Sequence, residues 1–401
     1  MKFEEISKEE YIAFWENHPL KTFLSATEIS DLRKKSNWNT NYVGVKKENK
    51  LIAATMLLSH IRKFNKYEFY SPRGYLIDFN DKELVDFFTN ELKKYIKEKN
   101  GYVLRIDPYV IYKERDIDGN IVEGGVDNSK IVDNLLSLGF KKVSISNTEQ
   151  VSWMFSLNLE GKDEDTILKE MQSSTRNKIR KAEKYGITLK ELSYDGLDSF
   201  QNIMEETSKR KGFSNRKIDY YQNMYNLYKD KVKYLLAELD LVEYTKKLEI
   251  ELKEKEKKLS KLDDVKNEKE KNNLSLEIDS INKRIIEAKE IGKDKIELSC
   301  AMFILIKPEI IFLAGGNLEE YMKYDAQYIL QWEMIKYGIN NGYKKHNFYG
   351  IPANINTHPK DYGIYEFKRR FNGYVEELIG EYELPISGYY NIFKLIHKIK
   401  K

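Results

Sequence analysis

The residues best suited to chemistry begin with a lysine in a short basic and aromatic segment. Lys368 and the preceding Phe367 lie within YEFKRRF at positions 365–371. The ammonium group of Lys368 suits either a bound phosphate or the oxyanion of a tetrahedral intermediate in acyl transfer. A basic surface turn would have the same composition, and the residues alone leave that alternative open.

An aspartate at the end of a predicted strand is the second candidate. Asp107 follows the run Val103–Ile106 and precedes Pro108, which is where α/β folds often place site residues. An Asp-Pro pair is also a common turn former at strand ends, and we favour that structural interpretation.

A run of basic residues on an expected helix is the third candidate. Positions 176–184 read RNKIRKAEK, in which Arg176, Lys178, Arg180 and Lys181 lie on several sides of the helix. A solvated face explains some of these charges, whereas contact with phosphates explains why so few acids accompany them. Both interpretations stay open.

Several other forms of catalysis lack the residues that they need. Five scattered histidines and the single cysteine, Cys300, give no cluster with zinc-ligand spacing. No Ser-His-Asp or Cys-His arrangement is recognisable in the sequence. We therefore expect no metal and no cofactor, and the single cysteine favours a reducing compartment.

Composition narrows the class of protein. The 401 residues predict two or three domains, and 41% hydrophobic residues suffice for a sizeable core. A formal net charge of +4, in a chain that is 33% charged, argues against a uniformly basic nucleic-acid binder. The acidic N-terminus and the absence of long apolar runs predict a soluble, cytoplasmic protein.

Heptad spacing predicts a helical hairpin over positions 241–296. Apolar residues recur at intervals of four and three from Leu241 to Leu262 and again from Leu274 to Ala288, with a polar break around 266–273. Such runs form an antiparallel coiled coil, with arms about 30 Å long. The hairpin is either a structural arm or a surface for an extended partner such as RNA, and its near-neutral charge does not favour RNA.

The segments that flank this hairpin repeat the pattern of the first third of the chain. Three strands, a helix and a strand over 42–108 recur over 234–350, and Asn-Gly-Tyr follows the helix at 100–102 and at 341–343. We infer an internal duplication, with the coiled coil inserted in a hairpin turn of the second copy.

A unit of this kind is typical of N-acetyltransferases, so acyl transfer is the first enzymatic hypothesis. CoA-dependent members need a loop of the form Arg/Gln-x-x-Gly-x-Gly/Ala at a helix start, where backbone N–H groups hold the pyrophosphate. The sequence has no such loop. Either the acyl donor differs from CoA, or the chain is a scaffold that keeps the fold.

Eight motifs, in order, resemble the FemABX family, and the resemblance is closest to the FemA/FemB type. They are MKF at 1–3, YSPRG at 70–74, IDPY at 106–109, TSxxKxFxxR at 207–216, AGG at 314–316, QWEMI at 331–335, NFYG at 347–350 and FK at 367–368. The resemblance implies a mixed α/β (α+β) fold of two tandem N-acetyltransferase-like subdomains, at 1–148 and 149–384. It places the coiled-coil arm of 241–296 in the second subdomain, and we expect the tail of 385–401 to pack on the first.

The resemblance also implies a function. Members of the family move an amino acid from aminoacyl-tRNA to an amine of the lipid II stem peptide, or of the growing interpeptide bridge, in peptidoglycan synthesis. Gly, Ala or Ser would be transferred here, and the activated ester explains the missing CoA loop. Lipid II implies peripheral contact with the inner membrane leaflet, and homo- or hetero-oligomers with related bridge-forming enzymes are expected. A CoA-dependent N-acyltransferase and a non-catalytic scaffold remain the alternatives.

Site roles follow from the same resemblance. Lys368 and Phe367 match the family's Phe-Lys pair, and Asp107 matches a candidate base. Phe312 stands where the family has a tyrosine, so one hydroxyl contact to the acceptor is expected to be absent. The substrate-binding positions are Arg33, Ser214, Arg216, Tyr220, Phe312 and Tyr349, and the positions for tRNA or phosphate contact are Arg176, Lys178, Arg180 and Lys181.

Overall fold

The computed structural model describes residues 1–262, 268–353 and 359–399. Within them the chain forms two mixed β-sheets with helices packed against them, which confirms the mixed α/β fold class. Residues 263–267 of the predicted hairpin and 400–401 of the predicted tail lie outside the described residues.

The strands divide between a seven-stranded and an eight-stranded sheet. The seven-stranded sheet has the order β1-β2-β3-β4-β5-β15-β7, and the eight-stranded sheet has the order β6-β14-β8-β13-β12-β11-β10-β9. Their bounds are β1 Lys2–Glu5, β2 Asn39–Lys47, β3 Lys50–Arg62, β4 Lys66–Ser71, β5 Gly101–Ile106, β6 Ile111–Glu114, β7 Lys141–Lys142, β8 Trp153–Asn158, β9 Thr188–Glu191, β10 Val232–Asp240, β11 Lys295–Ile306, β12 Glu309–Asn317, β13 Lys345–Gly350, β14 Tyr374–Leu378 and β15 Tyr382–Pro385.

The helices lie between these strands and at the C-terminal end of the described chain. Their bounds are α1 Lys8–Asn17, α2 Thr27–Lys34, α3 Lys82–Glu98, α4 Ser129–Ser137, α5 Glu164–Glu170, α6 Ser173–Tyr185, α7 Leu197–Lys211, α8 Ile218–Tyr228, α9 Leu241–Leu259, α10 Glu268–Glu290, α11 Ala326–Asn340, α12 Pro359–Arg369 and α13 Tyr389–Ile399.

The two sheets contain the same pairing unit. In the first sheet, β2, β3 and β4 form antiparallel pairs, and β5 then adds parallel to β4 after α3. In the second sheet, β10, β11 and β12 pair in the same way, and β13 adds parallel to β12 after α11. The duplication inferred from the sequence therefore has a direct structural counterpart.

The helical hairpin lies between β10 and β11, in place of the short turn that joins β2 to β3. The Asp240 side chain accepts a hydrogen bond from the Glu243 N–H and caps the start of α9. The base of the hairpin is part of the protein core, because Leu248 and Ile281 are buried in the same apolar cluster as β11 and α11. Farther out, Lys255 forms an ion pair with Glu277.

Two short strands lie in the sheet of the opposite half. β6 pairs with β14 in the eight-stranded sheet, and β15 pairs with β5 and β7 in the seven-stranded sheet. α13 packs on β5, where the rings of Tyr102 and Phe393 stack at 4.3 Å. The domain boundary at 148/149 stays a prediction. β6 and β15 connect the two halves of the chain by pairing across it.

One apolar core joins the two sheets. Met56 and Tyr70 from the first sheet belong to the same buried cluster as Tyr234 and Met302 from the second. Phe23, which precedes α2, belongs to this cluster as well. The shared core fixes the position of α2 and α8 beside the ends of β4, β12 and β13, and that is where the site lies.

Candidate functional site

A cavity of about 550 Å³ opens beside the shared core. Its walls come from α2, from the start of α8, from the loop before β8 and from the ends of β4, β12 and β13. The lining residues that matter for function are Arg33, Tyr70, Gln150, Val151, Arg216, Tyr220 and Tyr349. Four of the predicted substrate-binding residues, Arg33, Arg216, Tyr220 and Tyr349, thus line one cavity.

Two arginines give one side of the cavity a positive charge. The guanidinium carbon of Arg216 lies 5.4 Å from the centre of the Tyr220 ring, and that of Arg33 lies 5.6 Å from the Trp38 ring. Burial raises the pKa of Tyr220, and the charges of Arg216 and Arg33 oppose that rise. Planar guanidinium groups held against aromatic rings are suited to binding phosphate.

Tyr349 connects this cavity with the interior of the second sheet. Its backbone has a φ of 65°, a left-handed conformation that is uncommon for a bulky residue and is concentrated at functional sites. The Asn347 side-chain oxygen accepts a hydrogen bond from the Tyr349 N–H at 2.8 Å. The Tyr349 hydroxyl donates to the Gln150 side-chain oxygen at 3.4 Å, so the ring is held against the cavity wall.

Lys368 lies directly behind Tyr349. Its Nζ donates hydrogen bonds to the carbonyl of Tyr349 at 3.3 Å and to that of Gly350 at 2.6 Å, and the residue is only 5% exposed. Burial lowers the pKa of Lys368 to about 7. Within the described part of the chain, no carboxylate forms an ion pair with it. An amine with such a pKa can carry a charge or accept a proton near neutral pH.

Phe367 forms part of the connection between Lys368 and the basic helix α6. The Phe367 ring lies 5.1 Å from the Tyr328 ring. The Nζ of Lys178 lies 4.6 Å from the centre of the same Tyr328 ring. Lys178 also donates to the Asp325 carboxylate at 2.6 Å. Among the predicted tRNA-contact residues, Lys178 is thus the one placed beside the Phe-Lys pair.

The other basic residues of α6 have different surroundings. Arg176 is turned towards its own helix start, where its guanidinium donates to the carbonyls of Lys169, at 2.9 Å, and Met171. Arg180 and Lys181 are exposed to solvent. The four residues therefore do not form one continuous patch, and Arg180 and Lys181 are the two that solvent-borne phosphates can reach.

Asp107 is held away from the cavity by an arginine. Its Oδ1 accepts a hydrogen bond from the Arg73 N–H at 2.9 Å, and its Oδ2 lies 3.5 Å from the Arg73 guanidinium. Both residues are almost fully buried, at 2% and 3% exposure. Burial raises the pKa of Asp107 to about 6, although the Arg73 charge opposes the rise. This carboxylate is placed to orient Arg73.

Arg73 is a site residue to which the sequence analysis gave no role. Its guanidinium donates to the carbonyl of Val151, a cavity-lining residue, at 2.8 Å. The charge of Arg73 also counters the rise that burial causes in the pKa of Tyr349. In the sequence, Arg73 appears only as part of the YSPRG run at 70–74. An arginine before a glycine there indicates a turn and gives no sign that the side chain forms a buried ion pair.

Two predicted substrate-binding residues lie outside the cavity. Ser214 is exposed in the segment before α8 and does not line the cavity. Phe312 is half-buried and packs on Phe303, with ring centres 5.4 Å apart, against the apolar cluster that includes α11. The register of β11 against β12 shifts at this point, so Leu313 and Ala314 line the cavity instead.

Two other properties of the described residues bear on the site. No group of three or more His, Cys, Asp or Glu side chains in residues 1–262, 268–353 and 359–399 is arranged to hold a metal ion. Within the same ranges, no helix is both long and apolar enough to cross a bilayer.

Comparison with known sequences identifies related proteins over the whole chain. The model of the FemAB family matches residues 6–398. The aminoacyltransferase FemA of Staphylococcus epidermidis (strain ATCC 35984) is 33% identical over 419 residues, covering 100% of both chains. The aminoacyltransferase FemA of Staphylococcus aureus (strain bovine RF122) is 31% identical over 418 residues, covering 100% of this chain and 99% of that one.

Comparison with solved structures supports the fold. The crystal structure of FemX has a TM-score of 0.75 with this chain at 23% identity, covering 99% of this chain and 100% of that one. A likeness at this level of identity bears on the fold alone. The FemAB family model and the FemA relatives confirm the predicted family and the prediction that the chain is an aminoacyltransferase.

Proposed function

The chain belongs to the FemAB family, and we propose that it transfers an amino acid from aminoacyl-tRNA to lipid II. The amine that accepts it is on the lipid II stem peptide or on the growing interpeptide bridge, and Gly, Ala or Ser is transferred. The observation that carries the proposal is the connection between an arginine-lined cavity and the buried Lys368 through the backbone of Tyr349.

The cavity supports an acceptor that carries phosphate. Arg33 lies on α2 and Arg216 in the segment before α8, and each guanidinium can bind two phosphate oxygens at once. Tyr220 and Tyr349 add apolar ring surface with polar tips, which suits a sugar or peptide portion. A lipid diphosphate joined to a sugar and a peptide combines these groups in one molecule.

The reaction needs little covalent chemistry from the protein. The acceptor amine attacks the ester carbonyl of the charged tRNA, a C–N bond forms, and the C–O bond to the terminal ribose breaks. The proton lost by the amine ends on the released ribose hydroxyl. The protein must therefore align the two substrates and stabilise the negative charge on the carbonyl oxygen.

Lys368 is the proposed source of that stabilisation. In the ammonium form it would donate a hydrogen bond to the oxyanion in a site from which water is largely excluded, where such a contact is strong. Phe367 and Tyr328 would cover the donor side, with Lys178 near the tRNA end. Arg180 and Lys181, exposed on α6, would contact further phosphates of the tRNA.

Mass spectrometry of the acceptor tests the proposal. The full chain is incubated with Gly-, Ala- or Ser-charged tRNA and either bare lipid II or lipid II that already carries one bridge residue. A mass gain equal to one amino-acid residue on one of these acceptors is expected. No gain on either acceptor, from protein shown to be folded by circular dichroism, would contradict the proposal.

A further inference from the structure

A cluster of charged side chains is buried in the second sheet, across the neighbouring strands β12, β13, β8 and β14. The Nζ of Lys345 lies 3.0 Å from a carboxylate oxygen of Glu309 and 3.0 Å from one of Glu376; we call these three residues the Lys345 cluster. The glutamates are only 4% and 7% exposed. A buried ion pair adds little stability compared with well-packed apolar side chains, so stability alone does not account for the cluster.

Glu309 differs from Glu376 in the neighbours that it orients. The Nδ2 of Asn347 donates a hydrogen bond to Glu309 at 3.1 Å, and the Tyr109 hydroxyl donates to the same oxygen at 3.0 Å. Glu376 instead accepts a hydrogen bond from the Ser156 hydroxyl at 2.6 Å. Because a carboxylate only accepts, Glu309 fixes which end of the Asn347 amide faces it.

The other end of the Asn347 amide holds the backbone of Tyr349. Its Oδ1 accepts the hydrogen bond from the Tyr349 N–H, while the Tyr349 carbonyl accepts a hydrogen bond from Lys368. Side chains thus engage both backbone groups of one residue. A left-handed conformation at a non-glycine residue persists only where its surroundings impose it, and these two contacts impose it at Tyr349.

The β-ladder is irregular at this point. In the pairing of β13 with β8, the register shifts between Asn347 and Gly350, so two residues of β13 oppose one residue of β8. Such a bulge turns a side chain in a new direction and is common beside active sites. The bulge contains Tyr349, and the Asn347 side chain binds its N–H where the regular pairing is broken.

We propose that Glu309 is a positioning residue for aminoacyl transfer, which acts through Asn347 on the bulge that contains Tyr349. This inference rests on the proposed function. The bulge serves both parts of the site, because the Tyr349 ring lines the cavity while the carbonyls of Tyr349 and Gly350 hold Lys368. A displaced bulge would therefore disturb acceptor binding and the rate at saturation together.

Matched substitutions in the full chain test this role. Glu309→Met removes the acceptor of the Asn347 amide, whereas Glu376→Met keeps that contact and is the control; each leaves Lys345 one carboxylate partner. Glu309→Met should lower the saturated rate and raise KM for lipid II, each about tenfold. Glu376→Met should keep both within about twofold of the wild type, and so should Glu309→Gln, whose amide oxygen can accept the same hydrogen bond.

Hydrogen exchange measures the bulge without an assay of activity. Mass spectrometry of peptides that cover 346–352 should show the Tyr349 amide exchanging about tenfold faster in Glu309→Met than in the wild type. Glu376→Met should leave this exchange unchanged. Asn347→Ala keeps the Lys345 cluster but removes the acceptor of the Tyr349 N–H, so it should show the same fast exchange and the same losses in transfer.

The outcomes separate this inference from the proposed function. Equal transfer and equal exchange in Glu309→Met and Glu376→Met would overturn the positioning role and leave Glu309 in a structural ion pair. Wild-type transfer and exchange in Asn347→Ala would also overturn it, even if Glu309→Met failed to fold. No transfer by the wild type to either acceptor would contradict the proposed function alone, because the exchange comparison still tests the hold of Glu309 on the bulge.

Discussion

Burial shifts two ionisable side chains of the site towards their neutral forms. It lowers the pKa of Lys368 to about 7 and raises the pKa of Asp107 to about 6. Lys368 meets two carbonyl oxygens, whereas Asp107 faces the charged Arg73. The Nζ of Lys368 thus uses two of its three N–H groups on backbone carbonyls, whereas the Asp107 carboxylate is engaged with Arg73.

Replacing Lys368 is expected to stabilise the fold. The folded pKa of about 7 lies below the ordinary lysine value of 10.5, so burying the charged amine costs stability. The cost is fully present below pH 7 and disappears as pH rises from 7 to 10.5. The charge is worth about 5 kcal/mol at pH 6, and two lost hydrogen bonds take away about 1–3 kcal/mol of that. Lys368→Met should thus raise the free energy of unfolding by about 2–4 kcal/mol at pH 6, and by less at pH 10. Urea unfolding at both pH values measures this, and a variant less stable than the wild type at pH 6 would contradict it.

Replacing Asp107 should have a small effect on the chemical step. Asp107→Asn keeps an oxygen to accept the Arg73 N–H, but it removes the charge that orients the guanidinium. We expect kcat to stay within about tenfold of the wild type with an unchanged pH profile and a raised KM for the acceptor, since a general base contributes about 10²–10⁴-fold. A fall of kcat by about 100-fold or more, with loss of the acidic limb of the pH profile, would identify Asp107 as the base.

Motifs predicted the residues on regular elements better than those beside irregularities. The TSxxKxFxxR motif identified Arg216, which lies in the segment just before α8 and lines the cavity together with Tyr220 on that helix. Phe312 does not line the cavity, because its half-buried ring packs on Phe303. The register of β11 against β12 shifts between Phe312 and Ala314, and such a shift leaves no mark in a strand sequence. Arg73 was missed because its partner Asp107 is 34 positions away in the chain.

The helical hairpin was predictable because heptad spacing is a strong signal over a long segment. Its base was harder to locate, since the buried residues there continue the same heptads. Leu248, Ile281 and Ile285 belong to the core that includes β11 and α11. The hairpin therefore leaves the core beyond these residues and not at Leu241, its first residue. A deletion that leaves the core intact must begin beyond these residues.

Deleting residues 256–276, with a four-residue Gly-Ser linker, should leave a folded protein. The deletion removes the buried Leu274 but keeps the Lys255–Glu277 ion pair and the hairpin residues that belong to the core cluster, and β10 and β11 stay paired. The far-ultraviolet circular dichroism should lose helix signal while the melting temperature changes little. As a comparison, Leu248→Ala should cost about 2–5 kcal/mol. A deletion variant less stable than Leu248→Ala would contradict this placement.

On the scale of the whole molecule, the two sheets are joined more closely than two tandem domains would be. β6 and β15 each pair in the sheet of the other half, and one core contains residues of both sheets. The repeat itself was visible in the sequence as matching element order. The pairing of β6 and β15 in the opposite sheets was not visible in the sequence, because each strand has four residues, too few to show a distinctive hydrophobic period.

This joining predicts one cooperative unfolding transition. Separating the halves would expose the shared core and break the β14–β6 and β15–β5 pairs, so neither half should unfold alone. Calorimetry should give a single peak whose calorimetric enthalpy equals the van't Hoff enthalpy. Two resolved peaks, or a stable fragment of residues 1–148 after limited proteolysis, would contradict it.

We propose that the arginine-lined cavity and Lys368 serve one aminoacyl transfer. Single-turnover transfer from charged tRNA to lipid II tests it directly, with Arg216→Ala and Lys368→Met beside the wild type. We expect Arg216→Ala to weaken acceptor binding and keep most of the rate at saturation, and Lys368→Met to lower the saturated rate about 100-fold or more. A wild-type rate in Lys368→Met, from protein as folded as the wild type, would contradict it.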